Sequence, residues 1–193
     1  ESGLLRRLGA RLAETGLTPV LETGARYLFD PRRKHRPNLL EVDESRELRL
    51  SFMRRMIEWA NLLGAPVLSF WSGVLPEGQT EDGARDRLRA AVETLHGLAE
   101  RRHVTLALEP EPGHWIETLD DYRAFRDVCP GRIALTLDIG HVLATRECAP
   151  EEAITRHADE IVNLQLDDME RGVHDHLPPG EGDVDWKAVK RAT

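Results

Sequence analysis

A chain of 193 residues with formal net charge −8, about two-fifths apolar and nearly a third charged, is long enough to bury one substantial core. Its acidity argues against a general nucleic-acid binder, which would carry a basic face, and no apolar run approaches the roughly 20 residues of a membrane-spanning helix. No signal peptide opens the chain, and its start at Glu1 without Met reads as a fragment or a trimmed chain. Cys129 and Cys148 are too few for a disulfide framework, which makes a reducing, cytoplasmic setting the simplest expectation.

Residues 3–15 place Leu4, Leu5, Leu8 and Leu12 at helical spacing, and Gly16 stops that helix. A short strand is expected over 18–21, running into Glu22, Thr23 and Gly24. Residues 30–41 make a polar, basic loop with two prolines, Pro31 and Pro37. A helix over about 44–62 puts Leu48, Phe52, Met56 and Ala60 on one stripe and ends at Gly64. The run 65–70 reads as a strand leading into Trp71, Ser72 and Gly73. The helix over 81–101 then turns Ala84, Leu88, Ala91, Leu95 and Leu98 inward.

The next strand, 104–108, runs into Glu109, Pro110 and Glu111. Thr118 and Asp121 make a capping pair for a helix over 119–128. After the strand 132–138, Pro150 suits the first turn of a short helix over 150–158. The strand 161–166 leads to Asp167 and Asp168, then to a loop holding His174 and His176, and Asp185 caps a last helix. Strands alternating with helices argue for a single domain, residues 1–193, of parallel βα units. The polar residues with chemical potential all follow strands, where an α/β barrel or a doubly wound sheet builds its site. A glycine-rich phosphate fingerprint follows none of them, which argues against a dinucleotide-binding unit.

The stretch 135–141, Leu-Thr-Leu-Asp-Ile-Gly-His, organises the rest. A buried strand that ends on a carboxylate needs a counter-charge, hydrogen bonds or a metal for it. Glu109, Asp138, His174 and His176 are the metal-ligand candidates, with His141 beside them. Mixed oxygen and imidazole donors suit Mn²⁺, Mg²⁺, Co²⁺ or Zn²⁺. Each has a plainer reading: Glu109 as a solvated loop acid, Asp138 as a helix cap, the histidines as surface residues. Glu111 is the rival of Glu109, set behind it because a proline places it past the apolar run. The basic set Arg26, Arg32, Arg33, Lys34 and His35 suits a phosphate or carboxylate, or is simply a solvated face. Trp71 and Trp115 follow strands and are either sugar-stacking rings or core.

These motifs together resemble the sugar phosphate isomerase/epimerase family. The resemblance rests on Leu-Ala-Leu-Glu109-Pro, Leu-Asp138-Ile-Gly-His141, Gln165-Leu-Asp167-Asp168 and the run from His176 through Gly180, Gly182 and Asp185 to Trp186. It covers roughly residues 17–190 and implies a xylose isomerase-like (β/α)8 TIM barrel, related to the apurinic endonuclease IV type. This chain would show strands three to seven of that barrel.

By resemblance, Glu109 and Asp138 bind a divalent metal, and Glu109 also transfers the proton through a metal-stabilised enediolate. His141 contacts the substrate; Arg26, Arg32 and Trp71, singled out above from the basic loop and the strand end, are the further substrate-contact candidates. Two departures stand out. Gln165 occupies the place of a metal-binding histidine, where its amide oxygen is the expected, weaker metal ligand, and the eighth strand, with its second glutamate, is not among the strands read here. In the endonuclease branch the residues matching His141, His174 and His176 surround another metal. The expected partner is a small carbohydrate-like molecule, with no nucleic acid and no membrane, and a homo-oligomer is compatible with the sequence. The competing readings are a metabolite-binding barrel without turnover, suggested by Gln165, and a metal-dependent phosphodiesterase.

Overall fold

Strands separated by helices cannot pair as hairpins, and a right-handed crossover brings each one back parallel to the last. The computed structural model, which describes residues 2–42 and 44–193, has that arrangement. β1 (Val20–Glu22), β2 (Val67–Phe70), β3 (Thr105–Leu108), β4 (Ala134–Asp138) and β5 (Ile161–Gln165) form one five-stranded sheet in chain order. All four neighbouring pairs are parallel. α1 (Ser2–Glu14) precedes β1, α2 (Ser45–Leu63) and α3 (Glu81–Arg101) flank β2, and α4 (Leu119–Val128) lies between β3 and β4. α5 (Ile139–Thr145) and α6 (Pro150–Arg156) join β4 to β5, and α7 (Trp186–Ala192) follows the loop after β5. Among the described residues, no helix is long and apolar enough to cross a membrane.

Period-two alternation divides the strands between two faces. Leu68 and Phe70, Leu106 and Leu108, and Leu135 and Leu137 join a core with Met53, Ile57 and Ala60 of α2 and Ala84, Leu88, Ala91 and Leu95 of α3. The alternate residues are polar towards the carboxyl ends: Glu22, Ser69, Glu109, Asp138 and Gln165. Register keeps them level, since Glu22 pairs with Ser69 and Asp138 with Gln165. Glu109 extends its strand by donating its N–H to the Phe70 carbonyl at 2.8 Å. The sheet curls enough for the Gln165 amide N–H to reach the Glu22 carboxylate across it.

Several details differ from the sequence reading. β1 and β2 start later than expected because Pro19 and Pro66 lack the N–H a ladder needs. On α2, Leu48 is 48% exposed, and the buried positions are Arg49, Leu50, Met53, Met56, Ile57 and Ala60. A stripe stepped by four drifts about 40° per step around a helix of 3.6 residues per turn. In α1, Leu4 and Leu8 are exposed and no residue is buried; the helix approaches α2 through Gly9, where a Cβ would lie 2.5 Å from the Leu63 carbonyl oxygen. The helix α5 is absent from the elements read in chain order, although the plainer reading of Asp138 as a helix cap implies one, and Asp138 does cap it.

After β5 the chain is pinned by Asp168, which is wholly buried. Its carboxylate accepts N–H bonds from Met169 at 3.1 Å, Gly180 at 2.8 Å and Val184 at 3.0 Å, and from the Trp186 indole at 2.9 Å. Burial alone would raise its pKa, yet the Trp186 indole and these backbone donors hold it below the usual carboxylate value. Gly182 has to be glycine here, because a Cβ would sit 2.4 Å from the Asp168 carboxylate. A bridge from Asp168 to Leu177 closes the loop that carries His174 and His176. Replacing Asp168 by Ala strands four donors, so Asp168→Ala should lower unfolding stability by about 3 kcal/mol. Urea denaturation measures this, and hydrogen exchange should quicken first in residues 176–186. A loss below about 1 kcal/mol would remove Asp168 as the anchor of the loop.

Candidate functional site

The carboxyl ends of the strands open into a cavity of about 990 Å³. Its lining includes Glu109, Asp138, His141, Gln165, His174, His176, Arg26 and Trp71, so most of the residues singled out from sequence meet there. Asp138 closes β4 and caps α5. Its Oδ1 accepts the N–H groups of Gly140 at 2.8 Å and His141 at 3.2 Å. Its Oδ2 remains turned to the cavity, 3.6 Å from His141 Nε2. The cap and the candidate ligand are therefore two oxygens of one carboxylate. Gly140 lets Asp167 approach, since a Cβ there would lie 2.7 Å from Asp167 Oδ1.

His141 stands at the centre. Its Nδ1 lies 3.1 Å from the Pro110 carbonyl oxygen. Donation from Nδ1 to that carbonyl fixes the tautomer and leaves the Nε2 lone pair free, as metal-binding histidines require. Nε2 is buried and has no hydrogen-bond partner. Glu109 Oε1 is 3.6 Å from Nδ1, and Glu111 Oε2 is 3.7 Å from Nε2. The rings of His174 and His176 have centroids 4.9 and 5.7 Å from that of His141. His176 Nδ1 contacts Asp167 Oδ2, and His174 Nε2 lies 3.9 Å from Glu111 Oε1.

Gathering acids here has an electrostatic consequence. Burial first, and then the charges of Glu111, Asp138 and Glu22, push the Glu109 carboxyl up to about 9, only partly offset by the Ser69 hydroxyl. Burial and the neighbouring Asp167 push Asp138 up to about 8, and burial takes Glu111 to about 7. His141 is held down at about 4 by burial and by His174. With no cation present, acids with raised pKa values and a neutral imidazole face one another. A divalent ion would reverse the carboxyl shifts. Among the described residues, three sets of donors lie close enough to share an ion, each within 4.8 Å: Glu109, Asp138 and His141; His141, His174 and His176; Asp138, Asp167 and His176. Gln165 lines the same cavity but gives its amide N–H to Glu22.

Other residues fall elsewhere. Arg32 does not line the cavity; it is exposed, and its backbone N–H turns to Asp30 at 2.9 Å. Arg33 is paired with Asp30 as well. Trp115 packs edge-on against Phe125, and its indole donates to Glu81 on α3, which removes it as a sugar platform. Glu111, ranked behind Glu109, lines the cavity beside it, because the extended chain past Pro110 carries the alternation on. Asp167 was missed as a ligand candidate and Glu22 as part of the lining. Asp167 follows Gln165 by two, the strand period that would have found it.

Comparison with known proteins agrees with this architecture. The model of the xylose isomerase-like TIM barrel family matches residues 1–192. The L-ribulose-5-phosphate 3-epimerase UlaE of Salmonella typhi is 28% identical over 177 residues, which cover 89% of this chain and 61% of that protein. The chain thus spans about three-fifths of the length of that curated relative. A D-tagatose 3-epimerase-like protein superposes with a TM-score of 0.78 at 18% identity, over 97% of this chain and 70% of its own. The IolI protein, solved with a zinc atom, superposes with a TM-score of 0.72 at 20% identity, over 97% of this chain and 67% of its own. At such identities the structural likeness speaks for the fold alone. Parallel strands in chain order, polar groups at their carboxyl ends and a family match along almost the whole sequence have one meaning: the chain belongs to the xylose isomerase-like TIM barrel family.

Proposed function

We propose that this chain carries the cation-binding and proton-transfer site of a divalent-metal-dependent epimerase or isomerase, acting on a hydroxy-carbonyl sugar or its phosphate. The observation that carries the reading is the packing of two buried carboxylates, Glu109 and Asp138, against His141, whose buried Nε2 has no partner. Buried acids at such spacing are stable only when protonated or when they share a cation. The names of the relatives, two of them sugar 3-epimerases or like one, support the sugar class.

The donors fit a divalent ion. Asp167 Oδ1 is, like His141 Nε2, a buried polar atom without a hydrogen bond. Glu109, Asp138 and His141 would hold the ion, with His176 and Asp167 in reach through Asp138. Oxygen donors with imidazole suit Mn²⁺, Mg²⁺, Co²⁺ or Zn²⁺. Such a cation, when bound, polarises the carbonyl and neighbouring hydroxyl oxygens of a sugar as a Lewis acid.

Glu109 is the proton-transfer group that this chain supplies. Its carboxylate takes the proton from the carbon beside the carbonyl and serves one face of the sugar. The Ser69 hydroxyl holds Oε2 at 3.3 Å, which fixes the orientation of the group. His141, locked by the Pro110 carbonyl, keeps its ring plane while the sugar binds. Trp71 offers an apolar wall that keeps water from the reacting carbon.

In the chain stripped of divalent cations, Glu109 titrates at about 9, against an ordinary value of 4.5. Between those values the folded state holds a proton that the unfolded state has released, so stability falls as pH rises. The urea midpoint of the chelator-treated protein should therefore drop between about pH 5 and pH 9, and Glu109→Gln should flatten part of that slope. A slope unchanged by Glu109→Gln would show that this carboxyl is not buried as drawn.

Glu109→Gln is also the test of chemistry. It should abolish, by about a thousandfold or more, the exchange of solvent deuterium into a ketopentose or its phosphate, while circular dichroism stays as in the parent. Exchange at the parental rate would overturn the assignment. Asp138→Asn separates the two duties of that residue, because an amide oxygen can still cap α5. The variant should keep the parental melting temperature yet lose divalent cation by about tenfold or more in elemental analysis. Full metal content in the variant would place the ion elsewhere.

A further inference from the structure

Two arginines of α2 turn inward, and their surroundings differ. Arg46 is a half-buried strut whose Nε donates to the Leu39 carbonyl at 3.0 Å and whose Nη2 donates to the Arg87 carbonyl at 2.6 Å. Arg49, almost one turn further on, is 1% exposed. Its Nη2 donates to the Thr23 carbonyl at 2.9 Å, while its Nε and Nη1 are buried without partners. Among the described residues no carboxylate pairs with it. Burial lowers its pKa only to about 10, which leaves the guanidinium charged at neutral pH. A buried cation without a counter-charge opposes folding, and an apolar side chain of similar length would fill the space without that cost. Packing alone therefore does not account for an arginine here.

Two routes run from this cation to the strand-end cavity. In the first, the Thr23 N–H and hydroxyl both donate to the Ser69 carbonyl at 3.1 Å, and the Ser69 hydroxyl reaches Glu109 Oε2 at 3.3 Å. Thr23 is thereby gripped by β2 through its donors and by α2 through its carbonyl. In the second, the Arg49 guanidinium carbon stands 5.2 Å from the centroid of the Trp71 ring, within cation–π range. The rings of His35 and His114 meet Trp71 edge-on, with centroids 4.7 and 5.6 Å away. The Trp71 indole in turn acts as a hydrogen-bond donor to the Glu111 carboxylate and favours its charged form. Thr23, Ser69, Trp71, Glu109 and Glu111 all line the cavity, and Arg49 does not.

We propose that Arg49 is a positioning residue of the strand-end site: one buried guanidinium sets the plane of Trp71 and the seat of Thr23, and through them the directions of Glu111 and Glu109. This rests on the proton-transfer reading of that site. A carboxylate that takes a proton from carbon depends on its placement, and a displacement of about 1 Å costs about a hundredfold in rate. A guanidinium suits the task because its flat face stacks on an indole while its edge donates to a carbonyl. Glutamine would keep an N–H without the charge, and methionine only the length.

Arg49→Gln and Arg49→Met, made in the full chain, separate positioning from support of the fold. Both should melt at or above the parental temperature, because the unpaired cation is gone. In the exchange of solvent deuterium into a ketopentose or its phosphate, both should lower kcat about tenfold or more and leave KM within about threefold. Arg49→Met should also change the near-UV circular dichroism of the parent, yet leave that of a Trp71→Phe protein unaltered. That spectral change, found in a protein that exchanges no sugar proton, upholds the brace on Trp71 and sinks the epimerase reading instead. Parental kcat in both variants, or a near-UV spectrum that Arg49→Met does not alter, overturns the proposal. So does failure to fold, or a melting temperature more than about 10 °C below the parent, in both variants, for Arg49 would then be a support of the fold.

Discussion

Acids that end neighbouring parallel strands cannot avoid one another. Register places Glu22 beside Ser69 and Asp138 beside Gln165, and alternation turns their side chains to one face. The sheet therefore delivers carboxylates to a confined space in which burial and the neighbouring acids raise the pKa values of Glu109 and Asp138. The resulting penalty is of the kind a single divalent ion relieves, since its charge is larger than that of any side chain present. The positions of His141, of the loop bearing His174 and His176, and of the helix that Asp138 caps all answer to this one electrostatic condition.

Asp138 shows how local structure and chemistry share a residue. One oxygen satisfies the N–H groups of Gly140 and His141, which would otherwise be left unpaired at the start of α5. That bond orients the carboxylate, and orientation leaves the other oxygen facing the cavity. A cap and a ligand are usually weighed as alternatives, but the short turn Asp-Ile-Gly-His makes each a condition of the other. Asp168 works by the same logic at one remove, holding with four N–H bonds the loop whose histidines complete the rim.

Much of this was legible in the sequence, for identifiable reasons. The apolar runs before Glu109 and Asp138 set the strands, and α4, with its Thr118 and Asp121 cap, spans the expected residues. Helix boundaries were clear where glycine or a capping side chain marks them, as at Gly64 and Thr118. What stayed hidden depends on three-dimensional proximity. Arg49 reads as one more surface arginine of an amphipathic helix, yet it is buried beneath Trp71. Asp167 lies just beyond its strand, where the eye stops counting although the alternation continues. The fate of the basic loop depends on Asp30 and Glu41, which neutralise Arg33 and Arg36 and leave other cations for the cavity.

Gln165 brings these threads together. The family resemblance expects an imidazole at this place, and an amide differs from it in two respects that matter here. It cannot gain or lose a proton near neutrality, and it offers a hydrogen-bond donor and a carbonyl acceptor at once. The donor is engaged by Glu22 across the sheet, which ties β1 to β5 and orients the remaining oxygen. Replacing an imidazole by an amide need not empty the site, because the loop supplies two other imidazoles within reach of Asp138 and His141. In the proposed site, the donor that one strand end lacks would thus be offset by the segment that Asp168 anchors, which would make the integrity of that loop part of the chemistry of the rim.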